Sequence, residues 1–315
     1  MGNSNVLRRR GLAIGCGGTV GAAWIVAALA AVRDVLHWDP RDADALIGTS
    51  AGAEMVTMLA AGVSVDDLIA MQRGTAADPI LIRHMAAAPG RFPPLPRLRL
   101  GAPRMTLCGN SSRQAALSAG SRLLPVGGGD AGWLQRLADD LHGERDWPAH
   151  PAAWLVAMDY DSGRRVAFGA PDAPDATIGA ALRASWAVPG WFPPVSIGGR
   201  RYVDGGAAST ASVDLLQPLA LDELVVLTPM ASTRPVPARD PGHWLERRLR
   251  RPMSAQLDAE IATIRASGTR VLQLAVTAAD LAVMGPNFMD GRRRAQTLEH
   301  SLRSTRRELE RSEFS

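Results

Sequence analysis

Short apolar runs alternate along the chain with longer segments of helical spacing. Residues 12–14 and 45–48 predict buried parallel strands, because each is brief, apolar and bounded by polar or glycine-rich sequence. The segments 22–36 and 51–61, which follow these runs, predict helices. The start of the chain is therefore predicted to repeat a strand, a tight loop and a helix.

The same alternation continues towards the C-terminus. Gly198 and Gly199 lie between two of the later apolar runs, which is typical of a two-residue hairpin. Strands that alternate with helices over the whole length predict one α/β domain with a mostly parallel sheet. The remaining strands are predicted at 153–158, 165–168, 195–197, 201–203, 223–227 and 271–276, and the remaining helices at 64–73, 130–141 and 178–185.

Two parts of the chain depart from this alternation. Five prolines fall between residues 89 and 103, so regular structure is not expected there. The following stretch, 104–129, is predicted to be an insertion over the core that acts as a lid or binding loop. From residue 290 onward, an Arg- and Glu-rich segment predicts a helix that packs on the body through Leu298, Leu302 and Leu309.

Composition narrows the class of protein. The chain has 315 residues, 46% of them hydrophobic and 21% charged, which is globular and sufficient for a large core. The net charge of +4 permits attraction to an anionic membrane surface without demonstrating it. Cys16 and Cys108 have neither the spacing of a metal site nor the number for a disulfide framework.

The N-terminus invites comparison with a signal peptide. Three arginines precede an uncharged run from residue 11 to 32, and Ala-Leu-Ala at 28–30 has the form of a cleavage site. However, five glycines interrupt the first half of the run, and glycine-rich backbone makes a poor signal-peptide core. The segment is therefore predicted to belong to the folded protein.

Residues 48–52 read Gly-Thr-Ser-Ala-Gly, a G-x-S-x-G sequence between a predicted strand and a predicted helix. This is the setting of a nucleophile elbow, in which small neighbours let the backbone turn sharply and expose the Ser50 hydroxyl. The helix N-terminus beneath the serine supplies N–H groups and partial positive charge for a developing oxyanion. A tight turn with a capping serine fits the same residues, and this context alone leaves both interpretations open.

Residues 15–21 form a glycine-rich loop between the first strand and helix. Its N–H groups can line an oxyanion hole, or Gly15, Gly17 and Gly21 can cradle a dinucleotide. The dinucleotide alternative requires an acidic residue near the end of the second strand, but Ser50 occupies that place. We therefore favour the oxyanion hole of a hydrolase. A loop that binds a nucleotide remains the alternative, and it would place the protein in a different functional class.

Four segments in this order resemble the patatin-like phospholipases. They are the glycine motif at 17–21, the elbow at 48–52, the stretch 183–194, and Asp-Gly-Gly at 204–206. The resemblance covers most of residues 11–230, and the combination is far more specific than any one motif. Cys16 departs from the pattern, since a further glycine often stands there.

The resemblance implies a three-layer α/β/α sandwich with a mostly parallel central sheet. A patatin-like catalytic domain is predicted over residues 1–288, with a lid-like insertion at 86–130, and an Arg-rich C-terminal helix is predicted at 289–315; the insertion and this helix match no part of the family pattern. The resemblance also implies a catalytic dyad, with Ser50 as nucleophile and Asp204 as general base. The oxyanion hole would comprise Gly17, Gly18, Thr19 and Ala51, while Gly48, Gly52, Gly205 and Gly206 would allow the close backbone approach that the elbow and the dyad loop need.

The expected function is hydrolysis of lipid esters, of the phospholipase A, lysophospholipase or carboxylesterase type, through an acyl-enzyme. A dyad needs no metal or cofactor, and the expected partner is a lipid ester or phospholipid, with peripheral membrane contact and no nucleic acid. A cytoplasmic location is expected. The alternative within enzymes is a Ser-Asp-His esterase that uses His243 or His300, the two late histidines.

Overall fold

The structure is a computed structural model that describes residues 8–94, 126–232, 241–312 and 314, with the side chains of 241–247 and 249 excluded. Most of the predicted lid-like insertion, residues 95–125, lies outside this part of the chain, as does Cys108. The lid role and the domain boundary at 288 therefore stay predictions.

One eight-stranded sheet forms the centre of the described fold. The strands are β1 (Arg10–Ile14), β2 (Ala45–Thr49), β3 (Ala153–Asp159), β4 (Arg165–Phe168), β5 (Val195–Ile197), β6 (Arg200–Asp204), β7 (Glu223–Thr228) and β8 (Arg270–Ala275). Their order is β5-β6-β3-β2-β1-β7-β8, with β4 paired to β3 outside this path. Strands β3, β2, β1, β7 and β8 pair in parallel, whereas the pairs β3–β4, β3–β6 and β5–β6 are antiparallel.

Helices cover both faces of this sheet. They are α1 (Gly18–Leu36), α2 (Ala51–Ala60), α3 (Val65–Arg73), α4 (Pro79–Ala86), α5 (Gly132–His142), α6 (Ile178–Ser185), α7 (Pro241–Ala266), α8 (Ala278–Met284) and α9 (Arg294–Glu310). Helices α1, α2 and α9 contribute to the core on one face, and α7 contributes to the core on the other. The predicted α/β/α sandwich with a mostly parallel sheet is confirmed.

Alternation along the strands produces the two cores. Leu12 and Ile14 of β1 join the core that contains α1, while Ala13 between them joins the core that contains α7. A parallel strand covered on both faces has no solvent side, so its sequence is a continuous apolar run. This explains why the short runs were recognisable as strands.

Helix α1 is long and apolar enough to cross a membrane, but most of it is buried inside the fold. Helix α9 covers part of it, and the Thr305 hydroxyl donates a hydrogen bond to the Ala27 carbonyl (3.2 Å). A helix that is apolar on all sides is the pattern of a buried core helix as well as of a membrane span. The structure therefore uses the apolar N-terminal run as core.

Two helices begin four residues away from the predicted position, and the boundaries of the other predicted elements differ by two residues or fewer. Helix α1 begins at Gly18 rather than at 22, because Gly18 adopts a positive φ of 58° that allows the chain to turn directly from the loop into the helix. The C-terminal helix begins at Arg294, because residues Gly291–Arg293 form a short 3-10 turn first. The hairpin at Gly198 and Gly199 has φ values of 54° and 75°, as a two-residue turn of this kind requires.

Candidate active site

Strands β2 and β6 deliver Ser50 and Asp204 to either side of β3. Thr49, the last residue of β2, pairs with Val156 of β3, and Asp204, the last residue of β6, pairs with Ala157. The two paired positions on β3 are adjacent. Residues 154 positions apart in the sequence therefore meet across a single strand.

The backbone at Ser50 has the strained conformation of a nucleophile elbow. Its φ is 57° and its ψ is −119°, and its side chain does not cap helix α2. A positive φ is uncommon for a residue with a Cβ and persists only where the surrounding structure holds it. The capping interpretation of this serine is thus not what the structure shows.

Ser185, at the end of α6, holds the elbow in place. The Ser50 N–H donates to the Ser185 Oγ (2.9 Å), and the Ser185 hydroxyl donates to the carbonyl of Val156 (2.6 Å). All three groups are buried. The sequence analysis predicted no role for Ser185. The residue lies in the 183–194 segment that carries the family resemblance, and this was the one indication in the sequence that it could matter.

Glycines around the elbow lie where a side chain would collide with backbone. A Cβ at Gly48 would meet the carbonyl of Gly52, and a Cβ at Gly52 would meet the carbonyl of Ile14 at the end of β1. A Cβ at Gly205 would lie 2.7 Å from the Val156 carbonyl oxygen. The predicted elbow and dyad-loop glycines therefore permit the close packing of three chain segments.

The Asp204 carboxyl is buried and interacts with Ser50. It accepts a hydrogen bond from the Gly206 N–H (2.7 Å). Burial raises the pKa of Asp204 to about 7, although the Ser50 side chain and the Gly206 N–H favour the charged form and act in the opposite direction. A carboxyl with this pKa can both accept and return a proton near neutral pH.

The glycine loop leaves several N–H groups available beside the elbow. Gly15 and Val20 are engaged, since their N–H groups donate to the carbonyls of Leu227 (2.8 Å) and Phe288 (3.0 Å). Within the described part of the chain, the N–H groups of the predicted oxyanion residues have no acceptor; these residues are Gly17, Gly18, Thr19 and Ala51. Such groups can stabilise an oxyanion.

Cys16 is the unusual residue of this loop. Its thiol is buried, and a Cβ at Gly206 would lie 3.0 Å from its sulfur. Burial, with a smaller contribution from the charge of Asp204, raises the pKa of Cys16 far above its usual range. Cys16 is therefore a protonated packing residue rather than a second nucleophile.

The late histidines do not complete a triad in the described structure. His300 lies in α9 with its Nε2 3.3 Å from the Asp280 carboxylate, and the side chain of His243 is outside the described residues. His84 bonds Glu54 (2.8 Å). Among the described residues, no group of three or more metal-binding side chains lies close enough together to hold a metal ion.

The fold and the elbow define the class of α/β proteins that carry a serine on a strand–turn–helix elbow. Within that class, the patatin-like phospholipase family model matches residues 12–216. The chain therefore belongs to the patatin-like phospholipase family. The match ends before β7, so the C-terminal third of the chain, including α9, lies beyond it.

Among solved structures, the chain is similar to that of VipD from Legionella pneumophila. The two share 14% sequence identity at a TM-score of 0.40, and the alignment covers 94% of this chain and 67% of VipD. No curated protein matches the sequence.

Proposed function

We propose that the protein is a serine hydrolase that cleaves lipid esters through Ser50 and Asp204. The observation that carries this proposal is the placement of the strained Ser50 elbow beside the buried Asp204 carboxyl, whose pKa is raised to about 7. Membership of the patatin-like phospholipase family indicates lipid acyl-hydrolysis in general. The dyad and the ester specificity are our assignment.

In the proposed reaction, the Ser50 Oγ attacks the ester carbonyl while the Asp204 carboxylate accepts the hydroxyl proton. The carbonyl oxygen becomes an oxyanion that the free N–H groups of the glycine loop and of Ala51 stabilise. Asp204 then returns the proton to the leaving alcohol, and the acyl group remains on Ser50. Water, deprotonated by the same carboxylate, releases the fatty acid and regenerates the serine.

No histidine is required in this scheme. In a Ser-His pair the imidazole takes the proton because its pKa lies near neutrality. Here burial brings the pKa of Asp204 to about the same value. We further propose that the enzyme acts in the cytoplasm on lipid esters or phospholipids at a membrane surface, without a cofactor.

A fluorophosphonate probe, which reacts only with activated serines, tests the dyad. Wild type is expected to take the label, Ser50→Ala to take none, and Asp204→Asn to react far more slowly. Ser267→Ala, which changes an exposed serine at the end of α7, is the matched control and is expected to label like wild type. A folded wild type that takes no label, or a Ser50→Ala variant that still does, would refute the assignment.

A further inference from the structure

Glu260 is a buried carboxyl group that the proposed mechanism does not use. It lies in α7 next to Ile261 of the core, and only 3% of its surface is exposed. Burial raises the pKa of Glu260, while the charge of Arg165 acts in the opposite direction. The family model ends at residue 216, so family membership gives no role to Glu260. A carboxyl group in this position is costly for folding, and its partners indicate which part of the structure it holds.

Hydrogen-bond donors surround the Glu260 carboxylate. Its Oε1 accepts from the Arg165 guanidinium (2.9 Å) and from the Gln256 amide (3.0 Å), and its Oε2 accepts from the Val213 N–H (3.2 Å). Arg165, which lies in β4, also makes a two-point ion pair with Asp214, at 2.7 and 2.8 Å. An ionised carboxyl accepts hydrogen bonds and donates none, so this set of partners fits the charged form of Glu260.

The Val213 N–H belongs to the last residue of a loop that leads from the end of β6 past the glycine loop. We call residues 205–213 the return loop. Ser212, just before Val213, has a positive φ of 51°. A residue with a Cβ keeps such a conformation only where the surrounding structure holds it. The hydrogen bond from Val213 to Glu260 holds the return loop directly beside this strained residue.

The return loop contacts both parts of the proposed site. The Gly206 N–H donates to the carboxyl of Asp204, the proposed base (2.7 Å). The Thr210 carbonyl accepts from the Cys16 N–H (2.9 Å), which belongs to the glycine loop that supplies the proposed oxyanion hole. The position of the return loop therefore affects the spacing between the base and the oxyanion hole.

Hydrogen bonds within the return loop connect its two ends. The Ser212 N–H donates to the Ser209 Oγ (3.0 Å), and the Ser209 N–H donates to the Gly205 carbonyl (3.0 Å). The Gly205 carbonyl and the Gly206 N–H belong to the same planar peptide group. The orientation of this peptide group therefore links the end of the loop that α7 holds to the hydrogen bond on the proposed base.

We propose that Glu260 is a positioning residue of the active site, which together with Arg165 fixes the return loop and, through it, the peptide group that bonds Asp204. This inference rests on the proposed function. Helix α7 packs on one face of the sheet and holds the base, whereas α6 packs on the other face and holds the elbow through Ser185. The two members of the proposed dyad are then supported from opposite faces.

Glu260→Gln tests this role, because it keeps an oxygen for the Val213 N–H while it removes the charge that pairs with Arg165. A loosened return loop weakens the hydrogen bond from the Gly206 N–H, which favours the charged form of Asp204. The pKa of Asp204 is therefore expected to rise. The loss of a negative charge would by itself lower this pKa, so the direction of the shift separates positioning from a direct charge effect.

Ser209→Ala provides a second variant, because the loss of one partner of a buried ion pair can prevent folding. It removes the acceptor of the Ser212 N–H inside the return loop and changes no charge. The pKa of Asp204 is expected to rise in this variant too, by a smaller amount. Asp258→Asn is the matched control, since Asp258 is exposed and lies two residues before Glu260 in α7. It should leave the pKa of Asp204 unchanged.

The pKa of Asp204 can be measured without turnover. The aspartate carboxyl carbons of the full chain are labelled with ¹³C and titrated by NMR, and the Asp204 signal is the one that is missing from Asp204→Asn. We expect the midpoint of this signal to rise by about 0.5 pH unit or more in Glu260→Gln.

Turnover of a 4-nitrophenyl ester provides the second readout. Glu260→Gln is expected to lower kcat at pH 7 about tenfold, because a small displacement of the base or of the oxyanion hole slows the attack of Ser50. The KM should stay within about twofold of wild type, since Glu260 is buried behind the return loop. The rising limb of the pH–rate profile should move upward with the NMR midpoint.

A lowered Asp204 midpoint in Glu260→Gln, or an unchanged midpoint in both variants, would overturn the proposal. Reduced stability with wild-type kcat and an unshifted pH–rate profile would overturn it as well, since Glu260 would then only support the fold. If Glu260→Gln does not fold, the midpoint in Ser209→Ala decides in the same way. If the midpoint rises but wild type neither takes the fluorophosphonate label nor hydrolyses the ester, the proposed function fails and the positioning of Asp204 stands. If wild type is active and the midpoint does not move, the proposed function stands and the positioning role fails.

Discussion

Replacing Asp204 by asparagine is expected to abolish activity and, at the same time, to stabilise the protein at alkaline pH. The substitution keeps the size of the side chain and an oxygen that can accept from the Gly206 N–H. It removes the ionisable group that burial disfavours in its charged form. The two effects have one cause, because the carboxylate that the proposed mechanism needs is the form of Asp204 that burial disfavours.

The size of the effect follows from the pKa. In the unfolded chain the carboxyl titrates near 3.8, and in the folded protein near 7. Below pH 3.8 it is protonated in both states and contributes nothing. Between these values only the unfolded state releases the proton, so stability falls by about 1.36 kcal/mol for each pH unit. Above pH 7 the cost is constant at roughly 4 kcal/mol.

An asparagine side chain does not ionise, so the free-energy cost of burying a charged carboxylate is absent at every pH. The stability advantage of Asp204→Asn over wild type is therefore expected to grow by roughly 2–3 kcal/mol between pH 5 and pH 8, and to change little above that. Urea unfolding followed by tryptophan fluorescence at several pH values measures it. The chain has eight tryptophans to report the transition.

Asp161→Asn is the matched control for this experiment. Asp161 is exposed and pairs with Arg201 at the surface, so its replacement should produce no comparable growth with pH. An Asp204→Asn advantage that is the same at pH 5 and pH 8 would refute the reasoning, since it would show that the carboxyl does not titrate near 7. A variant that is less stable than wild type at pH 8 would refute it as well.

Three further predictions concern the same site. Wild-type kcat/KM should rise about tenfold per pH unit up to about pH 7 and then level, since Asp204 must be ionised to act as base; a flat pH–rate profile from 5 to 9 would exclude this role. Ser185→Ala should lower the free energy of unfolding in urea by about 1–3 kcal/mol and should lower kcat, because the Ser50 N–H loses its hydrogen-bond acceptor. An unchanged kcat would mean that the elbow keeps its conformation without Ser185. Gly18→Ala should abolish probe labelling, because its Cβ would collide with Phe288, whereas Gly62→Ala, also at positive φ but in open space, should label normally.

The strands, the elbow and most of the helices could be predicted from the sequence because they depend on local patterns, whereas the short helices α4 and α8 were not predicted. Successive residues of a strand point to opposite faces of the sheet, so Leu12 joins one core and Ala13 joins the other. The parallel strands are therefore continuous apolar runs in the sequence. Ser50 could be found because its neighbours must be small for steric reasons, which the structure shows at Gly48 and Gly52.

The strand order could not be predicted in the same way. Nothing in residues 45–49, 153–159 or 200–204 says that β3 lies between β2 and β6, or that β6 runs antiparallel to it. Asp204 was assigned through family resemblance rather than through any pattern of spacing. The role of Ser185 was missed for a related reason, because a hydrogen bond from a serine to an elbow 135 residues away leaves no local pattern.

The site combines two features that are each unfavourable for folding. The positive φ of Ser50 costs on the order of 1–3 kcal/mol, and the ionised form of Asp204 costs roughly 4 kcal/mol. They persist because the surrounding structure holds them. Ser185 accepts a hydrogen bond from the Ser50 N–H, and Gly52 allows the elbow to pack directly against the end of β1. A less tightly packed site would relax the serine and hydrate the carboxyl, which would lower its pKa towards 3.8 and leave it too weak a base at neutral pH. In the proposed mechanism, tight packing around Ser50 and Asp204 therefore contributes to catalysis directly, since burial is what keeps the pKa of Asp204 near 7.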